Sequence, residues 1–83
     1  MYIVYALYNP KHDKIYIGQT EDLARRLELH ANGTFRQSFT ARMSGKWILI
    51  YQESVENRRA ALVREKQLKS FRGREFIRTH IPR

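Results

Sequence analysis

The clearest sign of chemistry in this sequence is a carboxylate on the apolar face of a predicted helix. With Ala61 at zero on an ideal helix, Leu68 falls at about −20° and Glu65 at about 40°. Burying an unpaired charge is costly, so such a carboxylate normally has a cation, a metal ion or a cleft beside it. Two interpretations of Glu65 stay open: a structural ion pair with a basic residue, or a functional carboxylate.

A second predicted helix places two polar side chains beside its apolar stripe. With Leu23 at zero, His30 falls at about −20° and Arg26 at about −60°. A guanidinium offers paired donors to phosphate oxygens, and an imidazole passes protons near neutral pH. Each residue also has a purely structural interpretation, since arginine can lie along apolar surface and histidine is often a satisfied structural group. Their coincidence with Glu65 favours a shared site.

The elements that must position these groups begin with two short strands. Residues 2–8 and 14–18 are apolar, β-branched or aromatic runs separated by Asn9-Pro10, which predicts a hairpin. If paired residues have numbers that sum to 21, Tyr5 lies opposite Tyr16 on one face. A slip of one residue would part the two rings, and the sequence does not fix the register.

The rest of the chain alternates between helical and extended patterns. Thr20 is the expected N-cap of a helix over about residues 21–31, a third strand follows over 47–51, and Ser54 is expected to open a helix that ends near 69. Gly73 predicts a break before a short last helix over 74–80. This order predicts a single α+β domain over residues 1–83, a small three-stranded, antiparallel-containing sheet flanked by helices.

Composition and charge narrow the classes of partner. Sixteen Lys and Arg against eight Asp and Glu give a net charge of +8, and the pI is about 10.3. Nucleic acid is the favoured partner of such a chain, with an anionic membrane or a merely solvated basic surface as the alternatives. The absence of cysteine excludes thiol catalysis, disulfides and a thiolate-held zinc. No apolar run is long enough to span a membrane and no export leader is evident, so we expect a cytoplasmic protein with no membrane partner.

One segment joins the hairpin to the first helix in a known pattern. Tyr16-Ile17-Gly18, with Arg26 eight residues beyond the glycine, resembles the signature of the GIY-YIG endonuclease family. The likeness continues through the predicted third strand to the helix of Glu65 and covers about nine tenths of the chain. One departure is clear, because the first triplet stands here as Ile3-Val4-Tyr5 and keeps only its tyrosine.

The resemblance implies a metal-dependent endonuclease that hydrolyses phosphodiester bonds, with DNA the favoured nucleic acid. It implies that Glu65 holds one Mg²⁺ or Mn²⁺ ion, that Tyr16 with Tyr5 acts at the general-base position, and that Arg26 contacts the scissile phosphate. Elementary chemistry also favours one metal, because a two-metal site needs several clustered carboxylates. His30 is expected to assist as a proton relay or to orient the tyrosine.

Nucleic-acid contacts are expected along the basic parts of the chain. Glycine at position 18 would let the backbone approach a phosphate. Phe35 and Phe39 are expected either to stack on exposed bases or to fold back onto the core. The expected nucleic-acid-binding residues are Gly18, Arg36, Arg42, Lys46, Lys69 and Arg72.

Two functions of other classes remain open at this level. One is a non-catalytic nucleic-acid-binding module with the same fold, and the other is a small basic protein that docks on an acidic partner. Domains of the family often gain specificity from an attached module, so we also expect a protein partner that supplies specificity.

Overall fold

The structure is a computed structural model that describes residues 1–31 and 46–82, without the side chains of residues 29–31. The elements are β1 (Tyr2–Asn9), β2 (Lys14–Thr20), α1 (Leu23–Ala31), β3 (Ile48–Val55), α2 (Arg58–Lys69) and α3 (Phe71–Arg78). The predicted α+β class is confirmed. Among the described residues, no helix has the length and apolar character needed to cross a membrane.

The sheet has the order β2-β1-β3 and both pairings are antiparallel. The hairpin register, which the sequence left open, differs by two residues from the one that would place Tyr5 opposite Tyr16: Tyr5 pairs with Gly18 and Leu7 with Tyr16. The turn sets this register: Asn9 accepts hydrogen bonds from two turn amides through Oδ1, and Asp13 takes the left-handed φ of 52°. Because the shift is an even number of residues, both tyrosines still lie on one face of the sheet.

Both residues predicted as helix N-caps lie instead in the strand that precedes the helix. The Oδ1 of Asp22 accepts from the backbone N of Arg25 at 3.1 Å, so Asp22 is the N-cap of α1, whereas Thr20 ends β2. Ser54 belongs to β3, and the cap of α2 is Asn57, which accepts from the amide of Ala60 at 2.9 Å. In each case a nearer residue with an equally suitable side chain takes the role.

Gly73 does not break the last helix but lies inside it. Ser70 caps α3 and accepts from the amide of Gly73 at 3.2 Å, so the helix begins three residues earlier than predicted. A β-carbon on Gly73 would stand 2.1 Å from the carbonyl oxygen of Gln67 and 2.5 Å from the α-carbon of Leu68. Glycine therefore permits α3 to pack directly on the end of α2.

The main core lies between one face of the sheet and the helices α2 and α3. Its buried members are Val4, Ala6, Ile17, Ala61, Leu68 and Ile77. Strand alternation directs Tyr5, Leu7 and Gly18 to the other face, where all three are also buried. The sheet thus separates the packing core from the face that carries the tyrosine pair.

Candidate active site

Two tyrosines from the hairpin form the centre of the candidate site. The ring centroids of Tyr5 and Tyr16 are 6.2 Å apart and the rings are tilted by 42°. Tyr5 is fully buried, with 1% of its surface exposed, whereas Tyr16 is half-buried and reaches the surface. The diagonal relation of the two strand positions, rather than direct pairing, brings the rings together.

Gly18 lies beneath these rings and makes room for them. A β-carbon there would stand 2.9 Å from the hydroxyl oxygen of Tyr5 and 3.0 Å from Cε2 of Tyr16. Tight ring packing therefore accounts for the glycine. The sequence predicts an approach of the backbone to phosphate at this position, and that contact stays a prediction.

The two phenols have different surroundings. Burial raises the pKa of Tyr5 well above its ordinary value, and both the charge of Tyr16 and a hydrogen bond with it act in the same direction. Tyr5 thus keeps its proton throughout the physiological range. Of the pair, the more exposed Tyr16 is better placed to exchange a proton with a bound molecule.

Two groups of opposite charge from separate helices act on this pair. The guanidinium of Arg26, on α1, lowers the pKa of Tyr5, and the carboxylate of Glu65, on α2, raises it. Both effects are electrostatic, so both charges lie near the buried hydroxyl. The fold thus brings four predicted site residues together from β1, β2, α1 and α2. His30 lies on α1, but its side chain is outside the described residues.

The carboxylate of Glu65 is partly enclosed, with 20% of its side chain exposed. Its Oε2 atom lies 3.7 Å from the ammonium of Lys69, one helical turn further on. The structural ion pair left open by the sequence is therefore present, although it is loose and half-exposed. An exposed pair at this spacing is worth only about 0.3–0.5 kcal/mol, which is little compensation for holding a carboxylate beside a buried tyrosine.

A second half-buried carboxylate was not foreseen. Glu53, on β3, accepts from the Nε atom of Arg64 and from the hydroxyl of Tyr51, both at 2.6 Å. Burial acts to raise the pKa of Glu53, but these hydrogen bonds outweigh it and hold the pKa below its ordinary value. The helical-wheel spacing that identified Glu65 could not identify Glu53, because Glu53 lies on a strand. Its tight partners make Glu53 a link between α2 and the sheet.

Among the predicted site residues that the structure describes, Glu65 supplies the carboxylate for a metal ion. Within the described part of the chain, no three histidine or acidic side chains lie close enough together to form a metal-binding group. Mg²⁺ commonly uses one or two carboxylates and completes its shell with water and substrate phosphate. A single, partly enclosed carboxylate fits that pattern.

The expected nucleic-acid contacts are distributed over the surface. Arg36 and Arg42, like Phe35 and Phe39, lie outside the described residues. Lys46 is exposed just before β3, and Arg72 is exposed on α3. Arg58 was missed by the sequence analysis, although it lines a shallow pocket together with Arg26.

The hairpin carries the tyrosine pair, and two of the helices supply an arginine and a glutamate that act on it. The family model of the GIY-YIG catalytic domain matches residues 1–76, and the chain belongs to this family. The predicted family is thereby confirmed. A GIY-YIG domain generally marks an endonuclease and implies a nucleic-acid substrate. No curated protein and no solved structure matches the chain.

Proposed function

We propose that this protein is a divalent-metal-dependent endonuclease that hydrolyses phosphodiester bonds, preferably in DNA. The observation that carries the proposal is the packing of Tyr5 against Tyr16, with Arg26 and Glu65 both acting electrostatically on the buried Tyr5 hydroxyl. One cation, one carboxylate and two phenols would supply a phosphate contact, a metal ligand and groups for proton transfer, which are roles that one-metal hydrolysis uses. The net charge of +8 supports a polyanionic substrate.

Glu65 would hold one Mg²⁺ or Mn²⁺ ion. When bound, such an ion polarises a phosphoryl oxygen and stabilises the charge that develops on it. The loose pair with Lys69 is compatible with this role, because the ammonium can leave the carboxylate at little cost.

The chain's own residues would divide the remaining work. A water oxygen forms a bond to phosphorus as the bond between phosphorus and the leaving oxygen breaks. Tyr16 takes up the water's proton as the phenolate, or relays it as the phenol by passing its own proton to solvent, and the leaving oxygen takes a proton from solvent. Tyr5 stays protonated and orients the Tyr16 hydroxyl through their hydrogen bond. Arg26 would place its planar fork on two oxygens of the scissile phosphate. His30 remains a proposed relay.

The alternative function is a non-catalytic nucleic-acid-binding module of the same fold. The ion pair between Glu65 and Lys69 favours it, since a glutamate with a structural partner needs no metal. In that case loss of Glu65 would leave binding unchanged or improved, with no activity to lose.

The variant Glu65→Gln tests the proposal, with Glu75→Gln as its control. Glu75 is an exposed glutamate on α3, so its replacement makes the same chemical change away from the site. We expect Glu65→Gln to abolish cleavage while it stays folded and still binds DNA, because the lost ion pair is worth only about 0.3–0.5 kcal/mol. Cleavage at the parent rate, or unfolding, would exclude the metal-ligand role.

A further inference from the structure

A basic groove runs along the outer edge of β2. In the described part of the sheet, β2 pairs only with β1, so its other edge is open. The groove encloses about 420 Å³. It is lined by Asp13, Lys14, Ile15, Tyr16, Ile17, Lys69, Arg74 and Arg78.

Four of these side chains are cationic and one is acidic. Arg74 and Arg78 are four residues apart on α3 and therefore share one helix face, while Lys69 ends α2 and Lys14 begins β2. Three separate elements thus direct positive charge into one concave strip. Concave surfaces lined by one sign of charge raise the local concentration of the opposite ion.

A hydrogen bond at the junction between α2 and α3 holds Arg74 in place. The Nε atom of Arg74 donates to the carbonyl oxygen of Lys69 at 3.1 Å. This bond uses one of the five donors of a guanidinium. The close packing at Gly73 brings the two helices together, so the groove is built by tight backbone contact rather than by a loose surface cluster.

The groove also touches the candidate site. Tyr16 lines it and at the same time packs on Tyr5, and Lys69 both lines it and pairs with Glu65. A strand of nucleic acid lying in the groove would therefore lead directly to the proposed reacting phosphate.

We propose that this groove binds the phosphates of one nucleic-acid strand on the β2 side of the scissile bond. The inference rests on the proposed function and names where the flanking strand lies. A volume of about 420 Å³ is in the range of small-ligand sites, so the groove accommodates one sugar-phosphate backbone rather than two.

Asp13 provides a sensitive test, because it opposes anion binding at one end of the groove. Its Oδ1 atom lies 3.3 Å from Nη1 of Arg78 and accepts from the hydroxyl of Tyr8 at 2.9 Å. Asparagine keeps an oxygen for Tyr8 and tolerates the left-handed φ of 52° at this position. Asp13→Asn therefore removes the negative charge that pairs with Arg78 without disturbing the turn.

The experiment measures binding of a fluorescent single-stranded DNA in EDTA, over a range of salt concentrations, with a check that the oligonucleotide stays intact. The double variant Arg74→Gln/Arg78→Gln should weaken binding. It should also reduce the slope of log affinity against log salt by about 1.4, because each of the two lost phosphate contacts contributes about 0.7 on a single strand. Asp13→Asn should bind about two to five times more tightly, as expected for freeing one exposed cation. The control Arg25→Gln/Arg59→Gln removes the same charge from exposed positions outside the groove.

Equal losses in the groove and control variants would overturn the proposal, as would Asp13→Asn binding no more tightly than the parent. Arg78→Gln alone, which keeps the Arg74 hydrogen bond to α2, repeats the test if the double variant unfolds; it should reduce the slope by about 0.7. The proposed function can fail independently of the groove. If the variants differ in binding as expected but the parent does not cleave DNA in Mg²⁺, the groove proposal stands and the nuclease proposal is excluded. If the parent cleaves DNA in Mg²⁺ but the groove variants bind like the parent, the nuclease proposal stands and the groove proposal is excluded.

Discussion

Replacement of Gly18 by alanine tests whether the packing of the tyrosine pair sets activity. The new β-carbon would stand 2.9 Å from the hydroxyl oxygen of Tyr5, 3.0 Å from its Cζ and 3.0 Å from Cε2 of Tyr16. Ordinary carbon contacts are about 3.5–4.0 Å, so the rings must yield by about 0.5–1 Å. Tyr5 is enclosed on all sides at 1% exposure, so the half-buried Tyr16 must take most of the displacement.

Two magnitudes follow for Gly18→Ala. Overpacking of this size costs about 1–3 kcal/mol in the free energy of unfolding. A displacement of about 1 Å at a reacting group costs roughly 100-fold in rate. We therefore expect a folded protein whose kcat falls by about two orders of magnitude.

The assay is cleavage at saturating substrate, together with urea unfolding, and Gly73→Ala is the matched control. The β-carbon at Gly73 would meet the backbone of α2 and no tyrosine, so this variant should lose stability but keep kcat per folded molecule. Parent-like kcat in folded Gly18→Ala would refute the argument. Equal losses of kcat in the two variants would show that stability, not ring position, controls the rate.

Two further predictions concern the groups around the pair. Arg26→Lys should lose most activity despite the retained charge, because an ammonium lacks the paired donors of a guanidinium; full activity in a cleavage assay would make Arg26 a simple surface charge. Burial raises the pKa of Tyr5 in the native state, so the unfolded chain ionises this tyrosine at a lower pH than the native protein does. The contribution of Tyr5 to the free energy of unfolding is therefore complete below about pH 10, the ordinary pKa of tyrosine, and is lost as pH rises through the pKa of the folded state. Urea unfolding from pH 8 upwards should accordingly show a shallower loss of stability above about pH 10 in Tyr5→Phe than in the parent, and identical slopes would contradict the burial effect.

The sequence predicted the elements because their patterns are local. Apolar alternation and helical spacing located the strands and helices, and the wheel position of Glu65 identified a carboxylate that is indeed partly enclosed. The ends of elements were less predictable, since several polar residues compete for each cap. Asp22 and Asn57 displaced the expected Thr20 and Ser54.

Features that depend on distant contacts could not be predicted in the same way. The hairpin register depends on the turn around Asp13, and the role of Gly73 depends on an approach between two helices. Lys14 has no local mark that distinguishes it from other basic residues, yet the fold places it in the groove with Arg74 and Arg78. Residues able to do chemistry could be recognised in the sequence by their type and spacing. That several of them share one surface could be seen only from the fold.

Cleavage by the parent chain tests the central claim most directly. Branched, nicked, single-stranded and duplex DNA should be incubated with the protein in Mg²⁺ and in EDTA, with Glu65→Gln beside the parent. We expect products from at least one substrate in Mg²⁺, none in EDTA and none with Glu65→Gln. A folded parent that binds these DNAs but cleaves none of them in Mg²⁺, or cleaves equally in EDTA, would contradict the proposed function.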